Sequence, residues 1–369
     1  MIRIYIITMK LAFKPFRINK IIILGLNKGL VMALKKITHS DKVGWGIIGS
    51  GGWADHTFAP AIKSARGGQL RAVLAPDMKE AISFCNRHNI KNAYSDINKF
   101  LADNSFEAVW IAAPNHMHKK FTVAALGAGK HVLCEKPMAI TVDDCKAMIN
   151  AGRKAKRVLQ VAYNTRHHPK LQKLRQQWIS GIYGRPVHGR AHIYYPYPED
   201  LGYRSHGKAK GWHSFDKKVG GWAYADCATH GIDQLRWFLG DAEKVMASHN
   251  SNPSWGYRTP DHIVTMIAFK NGSVGSVSAS TGLQPWRPRL EFYGDKGYIV
   301  IDGGIIGEPG SITTNIASGK ERKIVLPPTK TYKLQIEAFS RAITHGEEYP
   351  LKPEDGLENV RLISQARGW

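Results

Sequence analysis

From Val43 onward, short apolar runs alternate with stretches whose apolar residues recur at helical spacing. Val43 to Ile48 is the first run and ends in a cluster of glycines. A helix-like stretch over 53–65 follows. Strands are predicted at Gln69 to Leu74 and Ala93-Tyr94, with a helix over Met78 to His88 between them. Asp96 to Ala102 reads as a helix, and Ala108 to Ala113 as a fully apolar strand. His131 to Cys134 and Val158 to Ala162 are two more strands, with helices over Lys119 to Gly127 and Val142 to Lys154 before and between them. Strands alternating with helices define β-α-β units, and strands lacking a polar face define a parallel sheet covered on both sides.

Beyond residue 163 the pattern changes. After a helix over Leu171 to Ser180, apolar and polar positions alternate in Pro186 to Tyr195, Val245 to His249, His262 to Phe269 and Val274 to Ser280. Asn271-Gly272 lies between the last two, a tight-turn pair that joins antiparallel strands. Asp295-Lys296-Gly297 joins Leu290 to Tyr293 with Tyr298 to Ile301 in the same manner. The expected architecture is α/β: a Rossmann-like, doubly wound parallel sheet over 42–162, then an α+β domain over 163–369. The second domain is built on a largely antiparallel sheet with one open face. Open apolar faces are commonly covered by a second subunit. A homodimer or homotetramer through that sheet is expected.

Residues 1–41 stand apart. They carry Arg3, Lys10, Lys14, Arg17, Lys20, Lys28, Lys35 and Lys36, with no acid before Asp41. A transit peptide has such a charge but is rich in serine, and Ser40 is the only serine here. A secretory signal needs an apolar stretch of about 7–15 residues, longer than Ile21 to Leu26. The expectation is a basic leader that is disordered or not native, with the natural start near Met32.

Composition adds a puzzle and then reduces it. The 52 Lys and Arg against 29 Asp and Glu leave +23, which points first to a polyanion such as nucleic acid. About a third of that excess lies in the leader. The remainder carries no helix-turn-helix, zinc or aromatic-basic pattern, so no nucleic-acid partner is expected. A hydrophobic content of 43% excludes a disordered chain. No apolar run of roughly 18 residues is free of charge, so no membrane span is expected. Cys85, Cys134, Cys145 and Cys227 lack paired spacing and fit reduced thiols of a cytoplasmic protein.

Gly49-Ser50-Gly51-Gly52-Trp53-Ala54 follows the first strand directly and opens a helix, the G-x-G-x-x-A arrangement of a dinucleotide site. Gly49 permits the tight turn, Gly51 lets the backbone approach a pyrophosphate, and Ala54 lets helix and strand pack closely. The helix start offers N–H groups to phosphate. An acid commonly ends the second strand of NAD binders. Here Ala75-Pro76 stand in that place and Asp77 follows, either as the ribose ligand or as the N-cap of the next helix. NAD and NADP both stay open. The loops Ala113-Pro114-Asn115-His116-Met117-His118 and Cys134-Glu135-Lys136-Pro137 leave the fourth and fifth strands, where doubly wound sheets bind ligands. A lysine there exchanges a proton with an alcohol or alkoxide, its pKa lowered by burial. Asp226 and His230 share one helix face, which suits an oriented acid–base pair or two metal ligands. No third or fourth ligand accompanies them, and His116, His118, His167 and His168 show no metal spacing. No metal is expected.

In this order the glycine turn, Pro114-Asn115 with His118, Glu135-Lys136-Pro137, and Asp226 with His230 resemble the Gfo/Idh/MocA family. The resemblance runs from about Val43 to the C-terminus. Trp212, Gly220-Gly221, Phe339 to Ile343 and Glu354-Asp355-Gly356-Leu357 are similar to it as well. It implies an NAD(P)-dependent enzyme that moves a hydride between nicotinamide C4 and a carbon of a sugar, polyol or related small molecule. It implies Lys136, Asp226 and His230 as the catalytic triad, with Asn115, His118 and Glu135 beside the cofactor. Asn164, Arg166 and Trp212 would lie near the substrate. Family members commonly carry a third glycine where Trp222 stands, so a narrower pocket is expected. The final helical pattern reaches Trp369, which implies a shortened last helix. Tyr194-Tyr195-Pro196-Tyr197 either stacks on a sugar ring or caps the sheet, and Lys208 to Lys218 reads as a solvated basic loop. A redox-neutral glycosidase or eliminase on the same scaffold is the alternative reading, ahead of a non-catalytic cofactor sensor.

Overall fold

The computed structural model describes residues 42–196, 204–205, 208–209, 212, 215–251, 259–283, 288–317 and 319–368. The expected leader over 1–41, Tyr197 and Trp369 lie outside them.

Strands β1 (Val43–Ile48), β2 (Gly68–Leu74), β3 (Asn92–Tyr94), β4 (Ala108–Ile111), β5 (His131–Glu135) and β6 (Leu159–Ala162) form a parallel sheet. Its order is β3-β2-β1-β4-β5-β6. Helices α1 (Ala59–Ser64), α2 (Met78–His88), α3 (Ile97–Leu101), α4 (His118–Gly127) and α5 (Val142–Ala155) connect the strands. Every residue of β1 and β4 is buried, which is why both read as unbroken apolar runs. The strand order reverses between β1 and β4. Beyond the carboxyl ends of such a pair lies the crevice in which doubly wound sheets hold ligands.

The second sheet follows helix α6 (Pro169–Ile179) and begins with β7 (Pro186–Tyr194). A small ribbon, β8 (Arg204–Ser205) with β9 (Lys208–Ala209), precedes α7 (Asp216–Val219) and α8 (Thr229–Leu239). Then come β10 (Ala242–Asn250), β11 (His262–Phe269), β12 (Val274–Ser280), β13 (Arg289–Gly294), β14 (Gly297–Gly303), β15 (Gly310–Ile316) and β16 (Arg322–Leu326). The order is β10-β11-β12-β7-β13-β14-β15-β16, antiparallel throughout except where β12 meets β7. Helix α8 lies against the inner face. At Gly231 a Cβ would stand 2.7 Å from Val277, so only glycine permits that approach. The outer face carries Met246 and Met266, 60% and 61% exposed and paired across β10 and β11.

Two helices close the chain, α9 (Thr331–His345) and α10 (Pro353–Ala366). The sequence pattern assigns all of 163–369 to the second domain, and its last two helices contribute to both cores. Ile336 and Phe339 of α9, with Tyr349, Leu351 and Val360, are buried in the core of the parallel sheet. Leu362 and Ile363 of α10 enter the core of the second sheet instead. An amphipathic helix shows which of its faces is buried but not which sheet it covers.

Candidate active site

At the end of β1 the backbone turns at Gly49 with φ +115°, and a Cβ there would sit 2.5 Å from the Ala112 carbonyl oxygen. The Gly49 N–H donates to the Leu74 carbonyl at 2.9 Å, fastening the turn to β2. Gly51 has the opposite surroundings. A Cβ added to it meets nothing within 4 Å. Gly52 and Trp53 begin the helix, buried Ala54 lies against the strand, and Ala54–Phe58 forms a π-helical stretch before α1. A tight turn, bare backbone facing open space and a helix start together fit a dinucleotide pyrophosphate. The Ser50 hydroxyl is occupied by the Glu80 carboxylate. Asp77 accepts the Glu80 N–H at 2.8 Å and caps α2, which is the second of its two expected roles.

The loops after β4 and β5 are bound to each other and to the second domain. His118 is buried with its ring nitrogens 2.9 Å from the Pro137 carbonyl and 3.0 Å from that of Ala113. Burial brings its pKa down to about 4. Asn115 donates to the Val219 carbonyl at 2.8 Å, joining this loop to the end of α7. Buried Glu135 accepts from the Trp110 indole at 3.1 Å and from the Lys136 N–H at 3.2 Å. Burial lifts its pKa to about 7.

Lys136 donates from Nζ to Asp226 Oδ1 at 2.8 Å, both side chains about one-eighth exposed (14% and 12%). The other oxygen of Asp226 accepts the Trp222 indole N–H at 2.7 Å. The carboxylate is therefore held from two sides. Its residue belongs to the π-helical stretch Ala223–Ala228 that runs into α8, and His230 lies in the first turn of that helix. The sequence led us to expect burial to lower the Lys136 pKa. Burial does act in that direction, but the Asp226 and Glu135 carboxylates outweigh it and hold Lys136 above the usual lysine range. His230 is the reverse case. Burial, aided by the Lys136 charge, brings its pKa down to about 3, and its buried Nδ1 has no hydrogen-bond partner among the described residues. An ammonium, a carboxylate and a neutral imidazole thus meet at the mouth of β5.

The guanidinium of Arg166 grips Asp233 at 2.7 and 2.9 Å, reaches Asp355 at 3.4 Å and is 3% exposed. Asn164 is fully buried and donates to the Thr331 hydroxyl at 2.8 Å. Both residues belong to the buried turn after β6 and join it to α8 and α9. The Trp222 side chain is wholly buried and its indole N–H steers Asp226. Trp212 is half-buried against the second core. Among the described residues no group of three or more His, Cys, Asp and Glu is placed to hold a metal. Trp222 and Trp110 were missed as site residues. The only sequence signal was the spacing of Trp222, four residues before Asp226.

Fold and site define a nicotinamide-dependent oxidoreductase, with the dinucleotide turn on one sheet and the second sheet's helix completing a Lys–Asp–His cluster. Residues 43–163 match the model of an oxidoreductase family with an NAD-binding Rossmann fold, and residues 171–300 match the Gfo/Idh/MocA C-terminal domain. The chain belongs to the Gfo/Idh/MocA family. It is 27% identical over 317 residues to the 1,5-anhydro-D-fructose reductase of Ensifer adhaerens, covering 85% of this chain and 92% of that one. It is 24% identical over 311 residues to the myo-inositol 2-dehydrogenase of Thermotoga maritima, covering 82% and 85%. A solved levoglucosan dehydrogenase in complex with NADH and L-sorbose superposes with a TM-score of 0.78 at 24% identity, over 89% of this chain and 97% of that one. That structure shares the fold. No helix among the described residues is long and apolar enough to cross a membrane.

Proposed function

We propose that the chain interconverts a hydroxyl-bearing carbon of a sugar, polyol or related small molecule with its carbonyl, using NAD or NADP. The observation that carries this reading is the 2.8 Å Lys136–Asp226 pair at the end of β5, with neutral His230 beside it. Bound nicotinamide supplies or accepts the hydride at C4. Lys136 moves the hydroxyl proton. Held charged by Asp226, it donates to the developing alkoxide when a carbonyl is reduced. When an alcohol is oxidised the same path runs in reverse: Lys136, as the neutral amine, takes the hydroxyl proton, with uncharged His230 beside it. Asp226 orients the ammonium and Trp222 fixes Asp226. Burial strengthens each of these interactions by excluding water.

The cofactor domain of this reading spans 42–162, and the substrate-binding and oligomerisation domain begins at 163. The relatives named above support a carbohydrate or cyclitol substrate. Exposed Met246, Val264 and Met266 support a homodimer or homotetramer through the outer sheet face. Four buried, unpaired cysteines are in keeping with a cytoplasmic enzyme. The test is absorbance at the reduced-nicotinamide band while the protein is incubated with NAD or NADP and a panel of sugars, anhydrosugars and inositols. One of them is expected to yield reduced cofactor. Product formed with no net change in cofactor would favour the redox-neutral alternative.

A further inference from the structure

The two tyrosines at the end of β7 part company. Tyr194 bonds the Ser278 hydroxyl at 2.8 Å and leans on His262, on the outer face of the sheet. Tyr195 lies with its ring 6.4 Å from Trp53, in the helix start of the glycine turn. Tyr332, from the first turn of α9, also stands 6.4 Å from Trp53. Tyr332 in turn lies 5.6 Å from Phe58 and 6.3 Å from Trp110, whose indole holds Glu135 next to Lys136. A ladder of rings therefore leads from the neighbour of Lys136 across the glycine turn to the end of β7. Trp53 packs against both hydrophobic cores, so the ladder crosses from one to the other.

Packing alone does not account for Tyr332. Its hydroxyl makes no hydrogen bond to the described residues. Burial, then the electrostatic neighbours Glu135, Tyr195 and Asp226, hold the phenol far above the usual tyrosine range. A phenol O–H that bonds none of the described residues can serve as a donor to a bound hydroxyl.

We infer that Trp53, Tyr195 and Tyr332 form one wall of the substrate site, an aromatic platform for the apolar face of a pyranose or cyclitol ring, with the Tyr332 hydroxyl donating to a ring hydroxyl. This assignment rests on the sugar or polyol reading above and gives it a specificity-determining residue. Sites that pair an apolar wall with a few aimed polar groups are the common form of small-ligand pockets.

Tyr332→Phe keeps the ring and removes only the O–H. The measurements are KM for the sugar turned over, calorimetric sugar affinity on NADH-loaded enzyme, NADH affinity and Tm. Sugar KM and dissociation constant are expected to rise about tenfold, with NADH affinity and Tm unchanged. Unchanged sugar KM and affinity would overturn the inference. If the unmodified chain turns over no sugar or polyol, the redox reading fails on its own. The wall is then judged by calorimetric binding of L-sorbose and myo-inositol. Weaker binding to Tyr332→Phe than to the unmodified chain supports it, and equal binding, or binding to neither protein, overturns it.

Discussion

Asp226→Asn isolates the charge on which the proposed chemistry depends. Asparagine keeps the shape of the side chain and an oxygen for the Trp222 indole, but it removes the partner 2.8 Å from the Lys136 ammonium. A unit pair at 4 Å is worth about 4 kcal/mol at an effective dielectric of 20. Side chains 14% and 12% exposed retain some solvent screening, so only part of that energy acts on the Lys136 proton. Burial then acts against Glu135 alone, and the lysine pKa falls. In carbonyl reduction the charged lysine is the proton donor. The alkaline limb of kcat against pH is therefore predicted to move down by about 1–3 pH units in the variant. Because the native Lys136 pKa is raised, the pair stabilises the fold at neutral pH and loses that contribution only as pH rises through the raised value. Breaking such a pair costs up to about 3–5 kcal/mol, so Tm also falls, and Lys136→Met in the same chain restores part of it. Superimposable pH profiles for the two proteins would refute the reasoning, since Asp226 would then not set the charge of Lys136.

Glycine substitutions should separate folding from cofactor binding. Gly49→Ala forces a Cβ into the Ala112 carbonyl and lowers Tm, whereas Gly51→Val meets open space and should leave Tm unchanged while abolishing NADH binding in a fluorescence titration. Tight NADH binding by Gly51→Val would exclude the proposed pyrophosphate path. Asp233→Asn leaves the buried Arg166 without its counter-charge and should cost about 3–5 kcal/mol in urea denaturation. A loss below about 1 kcal/mol would mean that Asp355 alone suffices. Glu135 has a native pKa of about 7 against an ordinary 4.5, so it costs stability as pH rises through that interval, reaching about 3 kcal/mol. Glu135→Gln should flatten the fall of Tm across the same window, and equal slopes would show the carboxyl to be ionised throughout.

Much of the architecture was legible because burial leaves a direct trace in the chain. β1 and β4 are covered on both faces and contain only apolar or glycine positions, and Asn271-Gly272 marked the turn between β11 and β12. What escaped depends on partners distant in sequence. Arg166 showed its charge but not Asp233, 67 residues on, which holds its guanidinium. Lys136 was expected to lose basicity because nothing in its own segment names Asp226, 90 residues away. Tyr332 lies beyond every motif and reaches the glycine turn only because α9 packs back on the first core. The π-helical stretches at Ala54–Phe58 and Ala223–Ala228 escaped for another reason. Apolar spacing does not separate one widened turn from an ordinary helix, although such turns recur at functional sites.

The most direct test of Lys136 as the proton-transfer group is the turnover of Lys136→Ala beside its NADH affinity. With a sugar or polyol that the unmodified chain oxidises or reduces, kcat should fall by about 10²–10⁴-fold while the NADH dissociation constant stays the same. Turnover close to that of the unmodified chain would contradict the account.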